Sequence, residues 1–323
     1  MPLRYTHESD FRQERNFGQK ISATFEFIGE HWRPLGRVLL YLVAPLALIQ
    51  GILTALVQSR MVSTMLHTTR YQQGYHPRDP LATQRLLFGA IFQSPVYYAT
   101  IAASMVFVSV FILTIYGYLV LCLRPAGAVP TPITPSEVWA VVKRHLVSSF
   151  FSLWGLAIII ILGFFFFFLP GYYLVVALSL FFIVRVVEGT GFMATIIRCL
   201  SLTKGKWWST FGLIITMIGL LYVLMFGFSM LINLLRLGVP STFVPTVEPG
   251  QVSAIFVVAL TIFFTVIAFL LYPPILLALA FQYFNLVERR ESFGLSRLVS
   301  QLGQSPAASP DGTSYRPHEE GEY

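Results

Sequence analysis

Charged residues are scarce in this sequence. Only 11% of its 323 residues are Asp, Glu, Lys or Arg and 55% are hydrophobic, whereas a soluble domain carries about a quarter of its residues charged. Several apolar runs also reach the roughly 20 residues that a helix needs to cross the hydrocarbon core of a bilayer. The composition therefore excludes an ordinary soluble domain and predicts a polytopic membrane protein.

Six apolar runs are predicted to cross the membrane as helices. They cover approximately residues 35–57, 96–123, 146–169, 172–187, 210–235 and 252–284. Only Pro170 and Gly171 separate the third run from the fourth, which predicts a tight antiparallel hairpin at these two residues. Gln50, Asn233 and Gln282 are expected to form hydrogen bonds between helices.

Basic residues are distributed unevenly between the two sides of the predicted membrane. If both termini lie on one side, that side holds 17 of the 22 Lys and Arg residues. The positive-inside rule then places both termini in the cytoplasm. Cys122 and Cys199, the only cysteines, fall near the cytoplasmic edge, where thiols stay reduced. We therefore expect two unpaired thiols.

An amphipathic segment precedes each pair of predicted spans, at about 16–37, 135–151 and 186–217. In the first segment Lys20 falls on the polar face, and Pro34 is predicted to end the helix before span one. Helices with one apolar and one basic face lie in the headgroup plane of a bilayer. The predicted fold class is thus all-α: six transmembrane helices as three hairpins, each preceded by a cytoplasmic interfacial amphipathic helix.

The recurrence of this pattern predicts the domain organisation. A six-helix membrane domain is expected over residues 15–299, built from three pseudo-repeats of similar design. The repeats cover about residues 15–124, 132–191 and 192–286. Residues 1–14 are expected to form a flexible N-terminus. The tail 300–323 is rich in Ser, Pro, Gly and acidic residues, which is typical of a disordered segment.

The third amphipathic segment carries a resemblance to a known family. It reads VVEGTGFMATIIRCLSLTKGKWWSTFGL, in which a Glu-Gly pair precedes an Arg-bearing helix, a Leu-Thr-Lys-Gly turn and an aromatic pair. Together with the ends FGQKISATFEFIGEHWRPL and FQYFNLVERRESFGLSRLVSQLG, it resembles the YciC-like proteins of the bacterial inner membrane. It is also similar to the membrane domain fused to some glycerophosphodiester phosphodiesterases.

This resemblance covers about residues 12–303 and implies six helices in the bacterial inner membrane, without an established activity. The chain departs from the family in its closing motif. Asn285 stands where many members have Asp, and Ser292 stands where Gly is common. A carboxylate function at that position is therefore not expected in this chain.

Recognisable catalytic and metal-binding motifs are absent from the sequence. It contains no HExxH, P-loop or dinucleotide-binding glycine motif, and none of its six histidines lies deep in a predicted span, as a membrane di-iron site would require. The phosphodiesterase of the fused relatives needs a soluble barrel, for which no segment is long enough. We therefore expect no enzymatic activity, no catalytic, cofactor-binding or metal-binding residues, and no cofactor.

Candidate site residues cluster around the third amphipathic segment. They are Arg185, Glu188, Arg198, Lys204, Lys206, Trp207 and Trp208. We expect them to contact lipid headgroups or to form structural ion pairs. Arg185 and Glu188 are three residues apart and share one face of span four. They are expected either to pair at the end of the hairpin or to contact a headgroup phosphate or a moving substrate.

Acidic residues are absent from the interiors of all six predicted spans, although ionisable groups at membrane depth usually accompany transport. The predicted function is therefore that of a membrane scaffold or lipid-interacting protein. The alternative is a transporter or permease component for an apolar or amphiphilic small molecule. Membrane lipids are the expected partners, a protein partner stays open, and no nucleic acid is expected.

Overall fold

The structure is a computed structural model, and all regular elements that it describes are α-helices. It describes residues 5, 8–72, 81, 84–85, 88–89, 92–123, 133–166, 168–238, 262–263, 266, 269 and 271–291. The helices are α1 (Glu8–Phe11), α2 (Phe17–Leu42), α3 (Ala44–Gln72), α4 (Pro95–Cys122), α5 (Pro135–Phe166), α6 (Phe168–Leu178), α7 (Phe181–Glu188), α8 (Phe192–Thr203), α9 (Trp207–Gly238) and α10 (Pro273–Glu291). Residues 252–261 at the beginning of the predicted span 252–284, and all of the predicted tail 300–323, lie outside these residues.

Within the residues that the structure describes, four helical stretches are long and apolar enough to cross a membrane. They are α4, α5, the stretch Phe168–Glu188 formed by α6 and α7, and the part Trp207–Gly227 of α9. A fifth is obtained if α2 and the beginning of α3, which meet at an angle of 53°, count as one span. These residues confirm the prediction of an all-helical fold with several helices that could cross a membrane. The count of six spans stays a prediction.

Contrary to the prediction, the first amphipathic segment does not form a separate interfacial helix. Instead of ending at Pro34, α2 continues to Leu42, and the chain bends by 53° between α2 and α3. Proline removes one backbone hydrogen bond from a helix, but α2 is held on both sides of it by packing. Its side chains at helical spacing, including Phe27 and Val38, are buried in the core, where α2 contacts α4 and α10.

The second amphipathic segment is likewise continuous with its span, because α5 runs from Pro135 to Phe166. Pro170 and Gly171 do not form the predicted turn, because α6 begins at Phe168 and includes both residues. A proline is tolerated there because the first turn of a helix has no intrahelical partner for its N–H groups. Of the three segments, only the third forms a separate short helix, α8.

Glycine allows α5 and α6 to approach closely. A Cβ atom added to Gly171 would lie 2.6 Å from the Phe164 ring and 2.9 Å from the Phe164 backbone nitrogen. One added to Gly163 would lie 3.2 Å from the Cα of Gly171. These two glycines therefore place the two backbones nearer to each other than any larger residue would permit.

The N-terminal segment, predicted to be flexible over residues 1–14, is packed against α10 where the structure describes it. Phe11 is fully buried and stacks on Phe281 with 5.9 Å between the ring centroids. Burial raises the pKa of the Tyr5 hydroxyl to about 12, helped by its hydrogen bond to Glu26. An aromatic cluster thus anchors the N-terminal segment to α10.

Asn285 has a structural function in this anchor. The backbone N–H of Arg15 donates to its side-chain oxygen at 2.8 Å, and the Arg15 guanidinium donates to the carbonyl of Phe11 at 2.7 Å. Burial lowers the pKa of Arg15. An amide oxygen is a sufficient acceptor for a backbone N–H, so this contact does not need a carboxylate at position 285.

Lys20 is buried, which corrects the prediction that it lies on a polar, headgroup-facing surface. Its Nζ atom donates to Oε1 of Gln282 at 2.6 Å and to the hydroxyl of Ser209 at 3.2 Å. Gln282 in turn donates to the Thr210 hydroxyl at 2.9 Å. Among the described residues, no carboxylate forms an ion pair with Lys20. This polar cluster ties α2, α9 and α10 together.

Interhelical hydrogen bonds by glutamine were predicted and are confirmed at the two positions whose side chains the structure describes. Gln282 belongs to the Lys20 cluster, and Nε2 of Gln50 in α3 donates to the Ser104 hydroxyl in α4 at 2.6 Å. The side chain of Asn233 lies outside the described part of the chain. Cys122 and Cys199 are both buried and form no disulfide with each other, as predicted.

Candidate functional site

Two glycines set the turns that bring α7, α8 and α9 together. Gly189 follows α7 with φ 65°, and its N–H donates to the carbonyl of Arg185 at 3.0 Å. Gly205 has φ 79° and lies in the predicted Leu-Thr-Lys-Gly turn between α8 and α9. Both angles fall in the left-handed region, which glycine adopts without strain.

Arg185 does not pair with Glu188, which corrects the prediction. Its guanidinium donates to the hydroxyls of Ser148 and Ser152 on α5, and it lies 5.7 Å from the centroid of the Phe181 ring. The two charged side chains separate because different helices meet α7 at these positions. Arg185 reaches α5, whereas Glu188 at the end of α7 meets α8 and α10.

Glu188 is the centre of an ionic network. Nε of Arg198 lies 3.0 and 3.1 Å from its two carboxylate oxygens, and the Tyr283 hydroxyl donates to it at 2.9 Å. Arg198 also forms an ion pair with Glu291. Burial lowers the pKa of Arg198, but its hydrogen bonds to Glu291 and Glu188 raise it above the ordinary value. The network therefore joins α7, α8 and α10 through a fully charged guanidinium.

Replacing Glu188 with Gln is expected to lower the free energy of unfolding by about 2 kcal/mol, because hydrogen bonds to a charged group are lost at Arg198 and Tyr283. A double-mutant cycle with Arg198→Met, measured by unfolding in detergent micelles, should give a coupling energy of about 1 kcal/mol. Lys204→Gln, at an exposed position of the neighbouring turn, is the control. Additive effects of the Glu188 and Arg198 changes would contradict the network.

The outer face of α8 is apolar and exposed. Met193 and Ile197, four residues apart, point away from the core, and Trp208 beyond the turn is 77% exposed. Lys204 and Lys206 are exposed beside them. Apolar and basic side chains of this kind lie at the boundary between headgroups and acyl chains. On the opposite face, burial raises the pKa of the Cys199 thiol to about 12, so this thiol is unreactive.

Trp207 is placed differently from the prediction. Its indole nitrogen donates to the backbone carbonyl of Tyr173 at 3.3 Å, and its ring is parallel to the rings of Tyr173 and Phe211. The sequence predicts that residues 172–187 cross the membrane and that Trp207 stays on the cytoplasmic side. About 30 Å of hydrocarbon would then separate Trp207 from Tyr173. Because Trp207 and Tyr173 are in contact, these two predictions cannot both be correct.

An apolar cleft between α2, α9 and α10 was not predicted from the sequence. This cleft, called the α2–α9–α10 cleft below, has a volume of about 830 Å³, within the roughly 300–1,000 Å³ of small-molecule pockets. Its apolar walls include Phe25, Leu39, Met217, Leu221, Leu271 and Ile275. Because three helices from distant parts of the chain form the cleft, no local sequence pattern predicts it.

Two guanidinium groups lie along one wall of this cleft. Arg33 and Arg37 are four residues apart on α2 and therefore on one face, and both are exposed. Trp32 lies beside them and is also exposed. No acidic residue is among the lining residues that the structure describes. An apolar cleft with two arginines at its wall suits a molecule with an apolar tail and an anionic head.

In the comparison with known proteins, no family model matches the chain, and neither a curated protein nor a solved structure matches it. The resemblance to the YciC-like proteins therefore stays a prediction, as does the placement of both termini in the cytoplasm. In the described part of the chain, no group of three or more His, Cys, Asp or Glu residues is arranged to hold a metal ion.

Proposed function

We propose that this protein is a lipid-interacting membrane protein of the bacterial inner membrane, without enzymatic activity, and that it binds anionic phospholipid in the α2–α9–α10 cleft. The cleft itself is the observation that supports the proposal. Its apolar walls accommodate an acyl chain, and Arg33 and Arg37 lie where a headgroup phosphate would be held. Trp32 suits the same depth, because an indole prefers the interface between hydrocarbon and water.

Selectivity among lipids is expected to come from the headgroup rather than from the acyl chain. An acyl chain gains little by leaving the bilayer for the cleft, because lipid tails are as apolar as the leucine side chains that replace them. A basic residue near an anionic headgroup contributes about 1 kcal/mol. Arg33 and Arg37 together would therefore favour an anionic over a zwitterionic lipid by about 2 kcal/mol, or roughly 30-fold.

The exposed face of α8 supports a scaffold function in the same membrane. Met193 and Ile197 would enter the acyl region, while Lys204 and Lys206 would contact anionic headgroups. This face contacts the bilayer as a surface, whereas the cleft would hold one lipid molecule. The two contributions can be separated by substituting each pair of basic residues in turn.

The full-length chain in nanodiscs of phosphatidylcholine tests the cleft. Brominated phosphatidylglycerol or brominated phosphatidylcholine is titrated in, and quenching of tryptophan fluorescence is measured. Subtracting the quenching of the Trp32→Phe variant from that of the wild type gives the contribution of Trp32. We expect the preference for phosphatidylglycerol to fall about 30-fold in Arg33→Gln/Arg37→Gln and to stay in the matched control Lys204→Gln/Lys206→Gln. An equal fall in both variants would refute a specific cleft site.

A transporter or permease component for an amphiphilic molecule is the second candidate, because the same cleft could hold a substrate during transfer. Proteoliposomes with a fluorescent phospholipid in one leaflet distinguish the two functions. Flux that depends on the protein and is lost in Arg33→Gln/Arg37→Gln would favour transport. Selective binding without flux would favour the lipid-interacting scaffold.

A further inference from the structure

A stripe of polar side chains runs along α5, which is otherwise largely apolar. His145, Ser148, Ser149 and Ser152 follow one another at intervals of three, one and three residues, so they occupy one helical face over two turns. The guanidinium of Arg185, from α7, reaches this stripe and donates to Ser148 and Ser152. The stripe and Arg185 are called the α5–α7 polar site below.

Arg185 is a buried cation without a carboxylate partner among the described residues. It is only 8% exposed, and its acceptors are two neutral hydroxyls. A guanidinium has five N–H groups, of which these two hydrogen bonds use two. Burying a charge without a counter-charge is unfavourable, so the arrangement is stabilised when an anion supplies the missing negative charge.

Ser149 is a second, independent indication of a ligand. It is 0% exposed, and its hydroxyl has no hydrogen-bond partner in the described part of the chain. A buried hydroxyl usually finds a partner, since leaving it unpaired costs about 1–3 kcal/mol. Its spacing places it between His145 and Ser152 on the same face, where it would donate to an anion held by Arg185.

The sequence around the site carries positive charges and no negative ones. No Asp or Glu occurs between Glu137 and Glu188, whereas Lys143, Arg144 and Arg185 fall in this interval. The part of the chain that forms most of α5 and nearly all of α6 and α7 is therefore positive, and nothing within it competes with an external anion for Arg185.

We propose that the α5–α7 polar site binds a phosphate group, held by the guanidinium of Arg185 and the hydroxyls of Ser148 and Ser149. The Ser152 hydroxyl donates to the carbonyl of Ser148 and orients the guanidinium by accepting from it. Guanidinium and hydroxyl donors match the oxygens of a phosphate in charge and geometry. The site lies on helices other than those of the α2–α9–α10 cleft, and it does not depend on the function proposed for that cleft.

The surface beside the site favours a lipid headgroup as the source of the phosphate. Val147 and Phe151 are each 67% exposed, and Trp154 and Ile158 are exposed further along α5. These four residues are spaced by four, three and four positions, so they form an apolar stripe next to Ser148. An acyl chain lying along this stripe would leave its phosphate beside Ser148 and Arg185.

The lipid arm of the test uses the full-length chain in phosphatidylcholine nanodiscs and a titration with brominated phosphatidic acid. The Trp154 part of the quenching, obtained by difference from Trp154→Phe, reports binding beside the site. We expect half-quenching to require about tenfold more phosphatidic acid in Arg185→Gln and about fivefold more in Ser149→Ala. Ser149→Ala removes a hydroxyl with no described partner, so it should not lower the unfolding temperature.

Two controls separate this site from other effects. Ser109→Ala removes a buried hydroxyl on α4 that donates only within its own helix, to the carbonyl of Met105, and should leave the titration unchanged. Arg33→Gln/Arg37→Gln should also leave it unchanged, so that failure of the cleft proposal and failure of this one give different results. A titration that is the same in wild type, Arg185→Gln and Ser149→Ala would overturn the site.

The second arm identifies the source of the phosphate. Inorganic phosphate is titrated into the detergent-purified chain by calorimetry. Binding of phosphatidic acid without binding of inorganic phosphate supports a lipid headgroup. Binding of inorganic phosphate that weakens about fivefold in Ser149→Ala, without a lipid preference at Trp154, supports the same site with free phosphate as its ligand. No response in either arm overturns the proposal.

Discussion

Gln282→Leu is expected to lower the free energy of unfolding by about 3 kcal/mol, because it removes the closest acceptor of a buried ammonium group. Lys20 lies 2.6 Å from Oε1 of Gln282 and is 2% exposed. After the substitution, the ammonium keeps only the longer hydrogen bond to Ser209. The Thr210 hydroxyl would lose its donor as well, since Gln282 donates to it.

The effect should depend on which partner is removed. Lys20→Met takes the charge away and leaves only a neutral amide unsatisfied, so it should cost about 1 kcal/mol. The double variant should resemble Lys20→Met more than Gln282→Leu. Unfolding in detergent micelles, followed by circular dichroism, gives all three values.

Gln50→Leu is the matched control, because Gln50 also joins two helices but donates to the neutral hydroxyl of Ser104. It should cost about 1 kcal/mol. If Gln50→Leu and Gln282→Leu destabilise the protein equally, the buried charge is not what makes Gln282 important.

Gly171→Leu is expected to lower the free energy of unfolding by about 3 kcal/mol, through overpacking between α5 and α6. The nearest atom to an added Cβ on the partner backbone is the nitrogen of Phe164, at 2.9 Å. A backbone atom cannot change rotamer to make room, so the two helices would have to separate. Gly163 is in the same contact, and its replacement should have an effect in the same direction.

Gly219→Leu provides the comparison. Gly219 is also inside a helix, α9, but nothing lies within 4 Å of a Cβ added there, and the position is exposed. Leucine has the better helix propensity, by up to about 1 kcal/mol, so this variant should be neutral or slightly stabilised. The measurement is thermal unfolding of both variants in the same detergent. Equal unfolding temperatures for Gly171→Leu and Gly219→Leu would contradict close packing of α5 and α6.

Composition and hydropathy were sufficient to predict an all-helical membrane protein, because the length of an apolar run is set by the bilayer. Local patterns also predicted α8, where the apolar residues of one short segment recur at helical spacing. Glycines flank this segment on both sides. The same patterns failed at Pro34. Whether a helix continues through a proline depends on the packing of its two halves, and the partners of α2 lie on α4 and α10.

The candidate site was predictable only in part. The sequence identifies the charged residues of the third segment, but the spacing of Arg185 and Glu188 wrongly predicts that they pair. Spacing along one helix gives no information about neighbouring helices. The actual partners of Glu188 are 10 and 95 residues away in the chain. Lys20 was assigned to a polar face for the same reason, since its acceptor is 262 residues away. The α2–α9–α10 cleft and the α5–α7 polar site both require tertiary structure.

The burial of both thiols has a practical consequence for mapping how the chain lies in its membrane. Cys122 and Cys199 are shielded by the core, so maleimide reagents would leave the native protein unlabelled. Single cysteines could then be introduced one at a time, for example at Trp208 and at Leu169, without first deleting the native ones. Comparing membrane-permeant with impermeant reagents at those two positions would report directly on which face each end of the α6–α9 region occupies.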